Sequence, residues 1–152
     1  MVISIGSDHG GYLLKEKIVK FLELEGYTVL NRGCDGLESV DYPLYGMRVC
    51  RDVLTKKCDL GILICTTGVG MSIVANKHRG IRAALVHNAD MARLTREHND
   101  SNILCLGAKY TTEEQAYEMV RAFIESKFAG ERHQRRVDMI MKLEEKQWQE
   151  EK

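Results

Sequence analysis

Residues 60–77 read LGILICTTGVGMSIVANK. Leu60–Cys65 is apolar enough for a strand covered on both faces. It delivers one thiol, Cys65, into a turn containing Gly68 and Gly70, and a helix pattern begins near Met71. The glycines let the backbone turn sharply and approach a ligand. The helix that follows points unpaired N–H groups at the turn. Thr66, Thr67, Gly68, Val69 and Gly70 therefore form a candidate cradle for a phosphate or for a negative oxygen formed during a reaction. A plain strand-to-helix turn is the alternative. A P-loop is excluded because no Gly-Lys-Ser/Thr follows. A dinucleotide fingerprint is poor, since Ile73 stands where its third glycine belongs. A Cys-x5-Arg phosphatase loop needs arginine at 71, where the chain has Met71.

Outward from this unit, strands and helices alternate. Strand patterns cover Val2–Ile5, Tyr27–Leu30, Leu60–Cys65, Ile81–Val86 and Ile103–Leu106. Between the first two, Leu13, Leu14, Ile18, Phe21 and Leu22 share one helix face, and Gly26 ends the helix. Tyr45, Val49, Val53 and Leu54 mark the next helix, after the only proline, Pro43. Ala89–Glu97 is read as helical with Met91 and Leu94 inward. Thr111 or Thr112, followed by Glu113 and Glu114, opens a helix with Ala116, Met119, Val120 and Phe123 inside. The tail, 131–152, carries an amphipathic helix with Val137, Ile140, Met141 and Trp148 on its apolar stripe. That stripe can pack on its own domain or on a second subunit. The pattern predicts one α/β domain over 1–152, a parallel sheet with helices on both faces. Ligands of such sheets bind beyond the carboxyl ends of the strands. The Cys65 turn and Ser7-Asp8-His9-Gly10-Gly11 both fall there.

The chain has 152 residues, 44% of them hydrophobic and 29% charged, with a formal net charge of zero. The charge balance argues against a general nucleic-acid binder. No apolar run approaches the roughly 18 residues of a membrane span, and the first residues lack the pattern of a secretion signal. The five cysteines (34, 50, 58, 65 and 105) form no Cys-x-x-Cys pair, and the five histidines show no metal-ligand spacing. Reduced thiols in a cytoplasm are the simple reading.

Cys65 by position is either a buried small hydrophobe or a reactive thiol, because helix N-termini favour thiolate. Asp8 is either a helix cap or, beside Gly10 and Gly11, part of a ligand site. Arg96–Asn102 alone reads as a polar loop. Arg93 and Arg96 read as a solvated face. Arg132 and Arg136 are four apart, share one helix face and can clamp a phosphate, although a solvated face is the commoner explanation.

Taken together, SDHGG (7–11), SVDYP (39–43), ILICTTGVGMSIVANK (62–77), GIRAAL (80–85), REHNDSNIL (96–104) and GERHQRRV (130–137) resemble the type B ribose-5-phosphate isomerases. That broader family includes the galactose-6-phosphate isomerase subunits. The resemblance runs through nearly the whole chain in order. It implies a Rossmann-like three-layer fold with a five-stranded parallel sheet and a C-terminal helix reaching a partner subunit. It implies a cofactor-free, metal-free aldose–ketose isomerase of a sugar phosphate, working as a homodimer or a pair of dimers with sites between subunits. By this similarity Cys65 is the base moving a proton between C1 and C2, assisted by Thr67. The amides of 66–70 hold the enediolate oxygens. His98 opens the sugar ring and Asp8 handles a hydroxyl proton. His9, Arg132 and Arg136 bind phosphate, with Lys109 near it, and Tyr42 and Asn99 line the sugar. Some members use a glutamate in the turn instead of the cysteine. Met71 holds that place here, which favours Cys65. Thr66 stands where glycine is usual, which leaves a six-carbon sugar phosphate, allose or galactose 6-phosphate, as an alternative substrate. Lys109 stands where several members carry arginine, and Val86 replaces a frequent cysteine. A catalytically idle sugar-phosphate binder is the competing class.

Overall fold

A computed structural model describes residues 1–150, with side chains as far as Lys146. The strands are β1 (Val2–Ser7), β2 (Thr28–Asn31), β3 (Leu60–Cys65), β4 (Ala83–Leu85) and β5 (Ile103–Gly107). The helices are α1 (Tyr12–Leu24), α2 (Tyr42–Leu54), α3 (Val69–Asn76), α4 (Ala89–Asn99), α5 (Glu113–Glu125) and α6 (Arg132–Glu150). The strands form one parallel sheet in the order β2-β1-β3-β5-β4.

Side-chain alternation explains the layers. Ile3, Ile5, Ile62, Ile64, Leu104 and Leu106 point to one face, under α1, α4 and α5. Leu63, Cys65, Ile103 and Cys105 point to the other, under α2 and α3. The chain thus leaves β1 toward one face and β3 toward the other. Neighbouring strands whose connections diverge open a crevice at their carboxyl ends. Ser7 pairs with Ile64 at that point, which brings Asp8 beside Cys65.

Most helices follow the sequence pattern. Ala116, Met119, Val120 and Phe123 of α5 are buried as expected, and burying each large one contributes about 2 kcal/mol. Thr112 caps α5 in a capping box with Gln115, worth about 1 kcal/mol. Several details differ. Strand β4 is shorter than residues 81–86. Helix α3 starts at Val69 rather than near Met71, because Gly68 caps it in the left-handed conformation. In α4 the buried residues are Ala92 and Thr95, whereas Met91 is exposed and Leu94 half-buried. The expected inward pair was one residue out of phase, because in so polar a helix a small alanine and a hydrogen-bonded threonine face the core. Arg93 is solvated, pairing with Asp90 and Glu97. Arg96 is not: its guanidinium donates to the Ser101 carbonyl and Asp100 and pins the turn before β5.

In α1, Leu13 is exposed and Lys15 is buried. The Lys15 ammonium donates to Glu16 and to Asn31 Oδ1, and Asn31 Oδ1 also accepts from the Gly33 amide at 3.0 Å. Nearby, Arg32 forks onto Asp52, at 2.9 Å through Nη2, and the Ser4 hydroxyl donates to the same carboxylate at 2.7 Å. Burial pushes the Asp52 carboxyl up, but Arg32 and Ser4 outweigh it and hold it below the usual range. These polar anchors tie down the chain leaving β2 toward Tyr42. Helix α6 buries Val137 and half-buries Met141, while Ile140 is exposed. The Trp148 side chain lies outside the described residues.

Candidate active site

Cys65 ends β3, and its Sγ accepts the Gly68 amide hydrogen at 3.2 Å. Gly68 has a φ of +77°, and a Cβ there would stand 2.5 Å from Leu85 Cδ1. Only glycine makes this turn without strain. The Val69 amide donates to Thr67 Oγ1 at 3.2 Å, and helix geometry leaves the Gly70 and Met71 amides as free donors in the first turn of α3. The thiol is largely buried yet borders a cavity of about 440 Å³ lined by Asp8, Tyr42, Cys65, Thr66, Thr67, Val69, Gly70 and Ile73. The Tyr42 ring lies against the bare face of Gly70.

The other four cysteines are buried and free. Burial pushes the Cys50 thiol up to about 12, the Cys58 thiol up to about 11 and the Cys105 thiol higher still. Cys50, Cys58 and Cys105 are packing residues whose burial favours the neutral thiol. Cys34 also lines a cavity, where its Sγ donates to the Gly36 carbonyl at 3.4 Å, whereas the Cys65 Sγ receives an amide hydrogen.

Asp8 both caps a turn and borders the cavity. Its Oδ1 accepts from the Gly11 amide at 3.1 Å, capping the short 3-10 turn His9–Gly11, and the side chain lines the Cys65 cavity. His9 Nδ1 accepts from the Val40 amide at 3.1 Å, which leaves Nε2 to carry the ring proton. Lys109 falls on the far side of Thr66, in a neighbouring cavity of about 470 Å³.

His98, Asn99, Arg132 and Arg136 are not at this cavity. Helix α4 runs back against the strands, so its end lies at the amino edge of the sheet. There Gly61 pairs with Ile103, whereas Cys65 pairs with Gly107. The two edges are separated by roughly 13 Å of strand, at about 3.3 Å per residue. At the amino edge His98 stacks on His133, with ring centroids 4.2 Å apart and planes at 12°. Arg132 and Arg136 flank His133 on α6 and are exposed. The Asn99 carbonyl accepts from Arg82 Nε at 3.1 Å. Burial, and then the positive neighbours His98, Arg132 and Arg136, hold the His133 imidazolium below the usual histidine range. Sequence reasoning missed His133 as a partner of His98. Its place between the two arginines was the available signal.

A larger cleft of about 520 Å³, lined by Leu44, Met47, Leu54 and His78 among others, lies on the outer face of α2, and no cysteine is among the residues lining it. Among the described residues, no group of three or more His, Cys, Asp or Glu is placed to hold a metal. No helix among them is long and apolar enough to cross a membrane.

Fold and cavity define a doubly wound α/β protein with a thiol and an amide-lined turn at its topological switch point. Residues 3–140 match the family described as Ribose/Galactose Isomerase. The ribose-5-phosphate isomerase B of Escherichia coli (strain K12) is 42% identical over 144 residues, covering 95% of this chain and 97% of that protein. The structure of Clostridium thermocellum ribose-5-phosphate isomerase B is 50% identical with a TM-score of 0.95, covering 96% of this chain and 99% of that one. Ribose-5-phosphate isomerase B of Mycoplasma genitalium, solved with bound ribulose-5-phosphate, is 39% identical with a TM-score of 0.90, covering 95% and 96% of the two chains. The chain belongs to the ribose/galactose isomerase family.

Proposed function

We propose that this chain is an aldose–ketose isomerase that interconverts ribose 5-phosphate and ribulose 5-phosphate through an enediolate. The observation that carries the mechanism is the Cys65 sulfur, hydrogen-bonded to the Gly68 amide at the mouth of a cavity beneath α3. In the aldose-to-ketose direction, the Cys65 thiolate takes the proton from C2. The electron pair flows to the C1 carbonyl oxygen, forming the enediolate. The free amides of the turn stabilise that charge, and such preorganised donors are commonly the largest catalytic contribution. Cys65 then returns the proton to C1, while Asp8 moves the hydroxyl proton from O2 to O1 and C2 becomes the carbonyl. Thr67 orders the turn through its bond with the Val69 amide. Tyr42 covers the sugar.

The second half of the site comes from a second copy of the chain. His98 for ring opening, Asn99 for the sugar, and Arg132 and Arg136 for the phosphate sit at the amino edge, out of reach of Cys65 within one chain. A two-fold dimer, possible also as a pair of dimers, sets each amino edge against the partner's cavity. His9, next in the chain to Asp8, meets the phosphate from the first chain. We place the protein in the cytoplasm, where its free thiols stay reduced.

The test is Cys65→Ala. Turnover should fall by about 10²–10⁴-fold, while calorimetric affinity for ribose 5-phosphate changes little. Full activity in that variant would reject the mechanism.

A further inference from the structure

Among the described residues, Thr66 alone lines both the Cys65 cavity and its 470 Å³ neighbour. Its backbone is held, because its carbonyl accepts the Lys109 amide at 3.0 Å. Its side chain lies over the bare face of Gly10: a Cβ built on Gly10 would stand 2.2 Å from Thr66 Oγ1. The two strand-end turns therefore touch through this side chain. It forms a partition, with the thiol on one side and Leu13, Lys17, Lys109 and Thr111 on the other. Without it the two spaces join across Gly10, and an anionic group on a longer ligand meets the Lys109 ammonium beyond.

We propose that Thr66 is a specificity-determining residue for the isomerisation: its side chain is the wall that limits the length of sugar phosphate the Cys65 cavity accepts. The wall selects five-carbon over six-carbon substrates by exclusion rather than by an added attraction, so shape and not the hydroxyl carries the effect. This inference rests on the isomerase reading above.

The experiment compares kcat/KM for ribose 5-phosphate and allose 6-phosphate in the wild type, Thr66→Gly, Thr66→Ala and Thr66→Val. Thr66→Gly should shift the ratio toward the six-carbon substrate by about tenfold or more, the size of effect that small changes in pocket volume produce. Thr66→Ala, which keeps the backbone preference of an ordinary residue, should shift it in the same direction by less. Thr66→Val, of equal shape without the hydroxyl, should keep the wild-type ratio. An unchanged ratio in the glycine and alanine variants overturns the wall, as does a shift in the valine variant equal to that in glycine. A wild type that turns over no ribose 5-phosphate overturns the isomerase reading instead. The wall is then judged by calorimetry, where the same variants should tighten six-carbon relative to five-carbon sugar-phosphate binding, and equal ratios reject it.

Discussion

At the carboxyl edge of the sheet, the polar side chains sit on strand ends and are fixed by strand register. Cys65 is itself paired with Gly107, Asp8 follows the paired Ser7, and both are largely buried. At the amino edge, His98, Arg132 and Arg136 ride on the last turn of α4 and the first turns of α6, and the two arginines face outward. One edge is an open cavity with a nucleophilic atom and amide donors, and neither lysine nor arginine lines it. The other presents the exposed Arg132 and Arg136 beside the His98–His133 stack. Each lacks what the other carries, and the proposed pairing of two copies rests on that complementarity.

The difference between the edges is broken most severely by removing the Cys65 thiol. Next in size is Gly68→Ala. An alanine there must hold a left-handed φ, at about 1–2 kcal/mol, and its methyl meets Leu85 and the β5 backbone. The turn should rearrange, and turnover should fall by about 10²-fold, the loss typical of one misplaced oxyanion donor. Urea unfolding and steady-state kinetics measure the two effects together. Unaltered stability and turnover would show that the turn tolerates a side chain.

The amino edge should answer differently. In the proposed mechanism, Arg132→Ala or Arg136→Ala removes a phosphate contact rather than a reacting group. Each should raise KM for ribose 5-phosphate by about tenfold, the worth of a charge-assisted hydrogen bond, and leave kcat nearly unchanged. A loss confined to kcat would assign the arginines another task. The smallest effect concerns His133. Burial and the positive charge of His98, Arg132 and Arg136 oppose its protonation in the fold, with Glu131 in partial compensation. Above the ordinary histidine value of about 6.5 both folded and unfolded forms are neutral and the residue costs nothing. As pH falls below that value the unfolded chain binds the proton first, so stability declines. His133→Phe keeps an aromatic ring against His98 and should flatten the stability profile between about pH 7 and 5, as read by thermal unfolding. An unchanged slope would place the titration elsewhere.

Much of this architecture is legible in the sequence. The parallel sheet follows from alternating strand and helix patterns, and the Cys65 turn follows from an apolar run ending in glycines. Other features are not legible, for physical reasons. The burial of Lys15 depends on Asn31 from β2, a contact between elements that no local period encodes. The inward face of α4 is hard to read because a mostly polar helix offers a weak apolar stripe: Met91 and Leu94 suggest one face, and Ala92 and Thr95 are the residues buried. The separation of His98 from Cys65 needs strand order and helix direction, which short motifs do not carry. The role of Thr66 as a partition needs the position of Gly10, distant in the chain and adjacent in space.

The most direct test of a site shared by two copies is subunit mixing. Cys65→Ala and His98→Asn are each prepared as inactive protein, mixed in equal amounts, dissociated and reassembled. A mixed dimer holds one site with both lesions and one with neither, so random pairing should restore about a quarter of wild-type activity. A mixture as inactive as its parents, with mixed dimers confirmed by mass spectrometry, would contradict the account.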